Sequence, residues 1–236
     1  MTALRILSGG AAQGLVASLA PQFNALTGLD IDGEFGAVGT MAGKLETGTG
    51  ADLVLLTKAV IADLVQKGLV ISDTARDIGI VETAIALRAG DPPVSIRDAD
   101  GLREVLLSAD AIFVPDTKAS TAGIHVASVL DRIGILAEVA PRLKIYPNGA
   151  TAMRHLAASD AATAIGCTQS TEIINTPGVV LSGALPPGFE LATVYTAGVT
   201  SQSQAASEAQ RLIVLLTAAD QAELRERAGF LGLGVR

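Results

Sequence analysis

The residues best suited to chemistry stand where short aliphatic runs break into glycines and hydroxyl side chains. The first such run ends in Ser8-Gly9-Gly10, directly ahead of a helix-like stretch. Glycine lets a ligand approach the backbone, and the amides at a helix N-terminus favour an anion. A tight strand-to-helix turn that binds nothing has the same spelling. A second turn, Ala37-Val38-Gly39-Thr40, offers Val38, Gly39 and Thr40 at another helix start. A third, from Pro115 to Gly123, presents the hydroxyls of Ser120 and Thr121 and the ammonium of Lys118, with His125 one turn into the helix. Ser120 or Thr121 can equally be that helix's own cap, and His125 a histidine satisfied on its surface. A fourth, Ile165-Gly166-Cys167-Thr168-Gln169-Ser170, sets Thr168 and Gln169 at a strand end, where they donate to a carboxylate or cap locally. Lys58 follows the Leu55-Leu56 strand end, as a cleft cation or a solvated lysine. Tyr146 and Tyr195 are the only phenols, and Arg154 and His155 are weaker candidates.

Several chemistries are excluded. No G-x-x-x-x-G-K-[ST] occurs, and Gly9-Gly10-Ala11-Ala12-Gln13-Gly14 is not G-x-G-x-x-G, so nucleotide binding finds no support. The single Cys167 cannot form an intramolecular disulfide, and without a basic neighbour it reads as buried filler. With only His125 and His155, no zinc-spaced cluster exists, and no metal or cofactor is implied. Seventeen basic residues against 24 acidic ones give a net charge of −7 over 236 residues, with no Lys/Arg cluster to offset it. Aromatics are only 3% and Trp is absent, so neither a nucleic-acid groove nor a stacked sugar site is expected. No apolar run approaches the roughly 20 residues of a membrane helix, so no membrane insertion is expected. Met1-Thr2-Ala3 leads straight into a strand without the pattern of a secretory signal. The expected location is therefore cytoplasmic, or periplasmic if a signal has been removed.

The elements that must position these turns alternate from the start. Strands are expected at 4–7, 31–35 and 52–56, each followed by a helix, at 11–26, 40–46 and 59–67. Gly28 ends the first helix. The aliphatic stretch 78–87 reads as a crossover strand. A second set follows, with helices at 99–108, 121–133 and 150–158 and strands at 111–114, 143–146 and 163–167. A strand at 191–199 and a helical pair, 204–218 with 220–227, close the chain. The pattern is an α/β fold with mainly parallel strands, in which ligands bind beyond the carboxyl ends.

Ile6-Leu7-Ser8-Gly9-Gly10, Phe23 with Leu26-Thr27-Gly28, the strand Gly50-Ala51-Asp52-Leu53-Val54-Leu55 and the late Val194-Tyr195-Thr196-Ala197-Gly198-Val199 resemble the molybdate-binding-protein family over nearly the whole chain. The resemblance implies a two-lobed type II periplasmic-binding-protein-like fold, with lobes 1–80 plus 198–236 and 81–197. Two crossover strands would join the lobes, with a ligand cleft between them. Relatives place serines in the first and second turns, where this chain has Gly9-Gly10-Ala11 and Ala37-Val38-Gly39, so few of the oxyanion-holding hydroxyls are kept. Within that family, Ser8-Gly9-Gly10, the Ser120–Ile124 turn, Thr168-Gln169-Ser170-Thr171-Glu172 and Tyr195–Val199 are similar to the aconitate isomerase branch, although the loop carrying Lys118 is longer here.

That likeness implies a small anionic carboxylate held by Ser8, Gly9, Gly10, Val38, Gly39, Thr40, Ser120, Thr121, Thr168, Gln169 and Tyr195. His125, whose ordinary pKa is near neutrality, would move an allylic proton, with Lys118 and Lys58 in support. The alternative is a substrate-binding protein of an ABC transporter for molybdate or another anion, with a permease as partner if the chain is exported. A cytoplasmic ligand sensor ranks last, since no DNA-binding segment is left over.

Overall fold

The computed structural model describes residues 3–234. In chain order the elements are β1 (Ala3–Gly9), α1 (Gln13–Thr27), β2 (Asp30–Gly36), α2 (Val38–Glu46), β3 (Leu53–Thr57), α3 (Lys58–Gln66), β4 (Arg76–Arg88), α4 (Ala99–Ser108), β5 (Ala111–Pro115), α5 (Thr121–Arg132), α6 (Leu136–Val139), β6 (Leu143–Tyr146), α7 (Gly149–Ala157), β7 (Ala164–Gln169), α8 (Ser170–Ile174), β8 (Val179–Ala184), β9 (Ala192–Val199), α9 (Ala206–Thr217) and α10 (Ala222–Arg227). The chain divides into two compact units, Met1–Val81 with Thr193–Arg236, and Glu82–Ala192. It leaves the first unit along β4 and returns along β9.

In the first unit the strand order is β2-β1-β3-β9, with β1 parallel to β2 and β3, and β9 antiparallel to β3. Leu15, Leu19 and Phe23 recur at helical spacing along α1 and are fully buried, which fixes the face it turns to the sheet. Gly28 then stops α1 at φ 73°, a conformation that costs glycine nothing, and its amide returns to the Asn24 carbonyl. Asp52, nearly fully buried ahead of β3, accepts from the Arg5 amide, the Ser203 hydroxyl and the Gln204 amide. That one carboxylate ties the start of the sheet to the entry into α9.

In the second unit β5 lies between β6 and β7, parallel to both, while β4 runs antiparallel between β7 and β8. Its core joins Ile85, Ile112, Val114, Ile165 and Cys167 of the sheet to Leu102, Val126 and Leu130 of the helices. Several features depart from the sequence reading, the short α6 among them. The strand expected at 163–167 continues through Gln169, held by pairing of Thr83–Ala86 with Gly166–Gln169. β8 was not expected: it is a half-exposed edge strand bounded by Gly178 at φ 85°, too short and interrupted to show a clear alternation. The first helix begins later, because residues Gly10–Ala12 form a tighter 3-10 turn.

Candidate functional site

The first unit's three parallel strands bring their carboxyl ends to one sheet edge, with Gly9 opposite Gly36 and Ser8 opposite Leu55. Each strand runs almost directly into a helix. At the residues entering α1, α2 and α3 (Gly9 and Ala12, Ala37, Thr57), no side chain caps the first turn. The first amides of a helix have no partner within it, so these turns present donors along one edge.

Three of the residues singled out in the sequence meet there. A Cβ on Gly9 would lie 2.9 Å from Tyr195 Cε1 and 3.1 Å from Val38 Cγ2, so glycine is what lets the Tyr195 ring and Val38 close over the turn. Tyr195 is buried on β9 opposite Thr57, and Phe230 meets its ring edge-on at 6.2 Å. Ser8 is fully buried and its hydroxyl donates to the Gly9 carbonyl at 2.9 Å, so it braces the turn. Gly10 is buried in the 3-10 turn, and Gly39 and Thr40 are exposed on α2. Lys58 is already engaged: Nζ lies 2.6 Å from Asp77, whose other oxygen accepts from Thr196 Oγ1 at 2.6 Å.

In the second unit β5, β6 and β7 likewise end at one edge, at Pro115, Tyr146 and Gln169. The Asp116 carboxylate accepts the Lys118 and Ala119 amides at 2.7 and 2.9 Å, folding the loop before α5, and those bonds hold its pKa below the ordinary range. Gly123 is obligatory: a Cβ there would sit 2.1 Å from the Asp116 carbonyl oxygen. Ser120 is the residue entering α5, buried and extended, but its side chain does not cap the helix. Thr121 is half-buried beside it and Lys118 is exposed. His125 Nε2 lies 2.7 Å from the Phe189 carbonyl, an acceptor, which places the proton on Nε2 and leaves Nδ1 as the basic nitrogen.

Two other helix starts in this unit are filled from within. Asp98 caps α4 by accepting the Gly101 amide, and Asn148 caps α7 by accepting the Thr151 amide. The start of α7 also holds a buried carboxylate, Glu172, which accepts the Thr168 hydroxyl at 2.6 Å and the amides of Gly149, Ala150 and Gln169. Burial pushes the Glu172 pKa up, against the pull of those donors. Thr168 is therefore engaged, whereas Gln169 is buried with its Oε1 unpartnered. Tyr146 stacks between Phe113 and His155, with centroids at 6.1 and 4.2 Å, and Arg154 bonds Thr151. Cys167 is buried, its thiol pushed up to about 12 by desolvation. Glu172 and Asp77 were not singled out in the sequence. Neither carried a signal: Thr168 lies on β7 and Glu172 on α8, so their four-residue spacing is not a helical one.

Among the described residues no group of three or more metal-binding side chains occurs, and no helix is long and apolar enough to cross a membrane.

A family model described as bacterial extracellular solute-binding protein matches residues 4–231. A curated aconitate isomerase from a Pseudomonas species is 25% identical over 243 aligned residues, covering 97% of this chain and 87% of that one. The periplasmic molybdate-binding protein of Azotobacter vinelandii superposes with a TM-score of 0.81 at 17% identity, over 97% of this chain and 98% of that one. The sulfate-binding protein SubI from Mycobacterium tuberculosis H37Rv superposes with a TM-score of 0.76 at 20% identity, over 99% and 88%. At these identities the structural likeness speaks to the fold, which is the α/β, two-lobed periplasmic-binding-protein type that the sequence resemblance implied.

Proposed function

The chain belongs to the bacterial extracellular solute-binding protein family, and from that premise we propose that it binds a small carboxylate anion on the uncapped helix starts at its strand ends. The observation that carries this reading is a contrast. The starts of α4 and α7 are filled by Asp98, Asn148 and Glu172, while those of α1, α2 and α5 are left open. Open amides are what an anionic ligand requires. In this reading the ligand-contacting candidates are Gly9, Gly10, Val38, Gly39, Thr40, Tyr195, Ser120, Thr121 and Gln169; Ser8 and Thr168 brace their own turns. The scarcity of hydroxyls in Gly9-Gly10-Ala11 and Ala37-Val38-Gly39 favours a carboxylate over a tetrahedral oxyanion, and the aconitate isomerase relative supports that choice. As a receptor, the protein would act outside the cytoplasm with a transporter permease as partner.

A second reading, turnover, is favoured by that same relative, which matches 97% of the chain. His125 Nδ1 would remove and return an allylic proton. Lys118 would stabilise the charge that develops on the carboxylate, while Lys58 is held back by Asp77.

Thermal-shift and calorimetric titration with citrate, tricarballylate, cis- and trans-aconitate, sulfate and molybdate tests both readings. A ligand at 100 times its Kd adds about 2.7 kcal/mol of stability, a Tm rise of a few degrees. The carboxylates are expected to produce it, and a response to molybdate or sulfate alone would overturn the proposal. Proton NMR of cis-aconitate with the protein, wild type against His125→Ala, reads turnover directly. An unchanged rate in the variant removes His125 as the base.

A further inference from the structure

Three polar side-chain atoms in the second unit are buried without a hydrogen-bond partner: Thr83 Oγ1, Gln169 Oε1 and Thr171 Oγ1. Their residues are 1%, 3% and 1% exposed. They are not scattered. Thr83 on β4 is the direct cross-strand neighbour of Gln169 on β7, so both side chains project to the same face of the sheet, and Thr171 follows in the first turn of α8. β7 is also the parallel neighbour of β5, whose end leads through Ser120 into the uncapped start of α5. Buried polar groups in native proteins nearly always find partners, so a cross-strand pair with a third two residues further on marks a place completed by something else.

Their chemistry restricts what completes it. Gln169 Oε1 only accepts, while each threonine hydroxyl both donates and accepts. A fully ionised carboxylate or inorganic oxyanion only accepts, and would leave the Gln169 oxygen unanswered. An ammonium could donate to all three, but none of the three carries a compensating charge, and burying an unpaired cation is costly. A hydroxyl group fits: it donates to Gln169 and accepts from a threonine, without charge.

We infer that Thr83, Gln169 and Thr171 read a hydroxyl on the ligand, so the acid bound is a hydroxycarboxylate. This rests on the carboxylate-binding proposal and narrows it, since an unsaturated acid lacking a hydroxyl leaves the cluster unpaired.

The test is calorimetry with citrate against tricarballylate, which has the same three carboxylates and no hydroxyl. Wild type is expected to bind citrate about tenfold more tightly or better, the worth of one well-made hydrogen bond. In Thr83→Val and Thr171→Val the preference falls to about twofold or less through loss of citrate affinity, with tricarballylate binding kept. Thr83→Val and Thr171→Val remove unpartnered hydroxyls at nearly constant shape, so the ligand-free Tm is expected to hold or rise; a purely structural role would lower it. Equal binding of both acids by wild type overturns the inference and leaves the carboxylate reading standing. A preference that survives in both Thr83→Val and Thr171→Val overturns it too. Binding of neither acid, with sulfate or molybdate bound, overturns both.

Discussion

Asp77 shows how a single residue's neighbours decide its role. It is partly buried on β4, with Lys58 Nζ and Thr196 Oγ1 each 2.6 Å from its carboxylate. Burial alone raises its pKa, but the bonds from Lys58 and Thr196 outweigh it and the net direction is downward. A folded pKa below the unfolded one contributes stability that is present above about pH 4 and lost as pH falls through the folded value. Asp77→Asn is therefore expected to be less stable than wild type at pH 6, with the gap closing on acidification; a gap independent of pH in urea titrations would rule this out. Lys58 was legible as a cation near a strand end, yet nothing local announced that Asp77 holds it. His125 was legible as a titratable ring, and only the Phe189 carbonyl at 2.7 Å decides which nitrogen remains basic.

At the scale of elements, the helix starts divide by what fills them, and α7 is the clearest case. A Cβ on Gly149 would lie 1.9 Å from Glu172 Oε2 and 2.1 Å from Thr168 Oγ1. Gly149→Ala must expel a buried carboxylate that four donors hold, with an expected cost of about 3 kcal/mol. Chemical denaturation checks it, and a loss below about 1 kcal/mol would show that α7 does not depend on Glu172. The helix and strand succession was readable from hydrophobic periodicity, which is local. The extension of β7 through Gln169 was not, because it comes from pairing with β4, a strand far away in sequence. For the same reason Thr168 and Gln169 read alike in sequence and differ in the fold, the side chain of one bonded to Glu172 and the Oε1 of the other unpartnered.

For the molecule as a whole, the two units differ in how the chain builds them. The second is one continuous segment, Glu82–Ala192, with its own core, whereas the first needs both Met1–Val81 and Thr193–Arg236. Residues 82–192 expressed alone are expected to melt cooperatively, and residues 1–81 alone are not, since β9 and α9 supply part of their sheet and core. Circular dichroism melts decide it, and a non-cooperative 82–192 would contradict the division. The sequence by itself determined the α/β class, the glycine and hydroxyl turns at the strand ends, and the lack of metal-site and nucleotide motifs. These follow from periodicity, backbone freedom and residue type, all local. Only the tertiary structure decided which polar groups are already engaged, as with Lys58 on Asp77, Thr168 on Glu172 and His125 on Phe189, and which are left over, as at Thr83, Gln169 and Thr171. Hydrogen bonding saturates, so a group's availability depends on neighbours that folding brings from far along the chain.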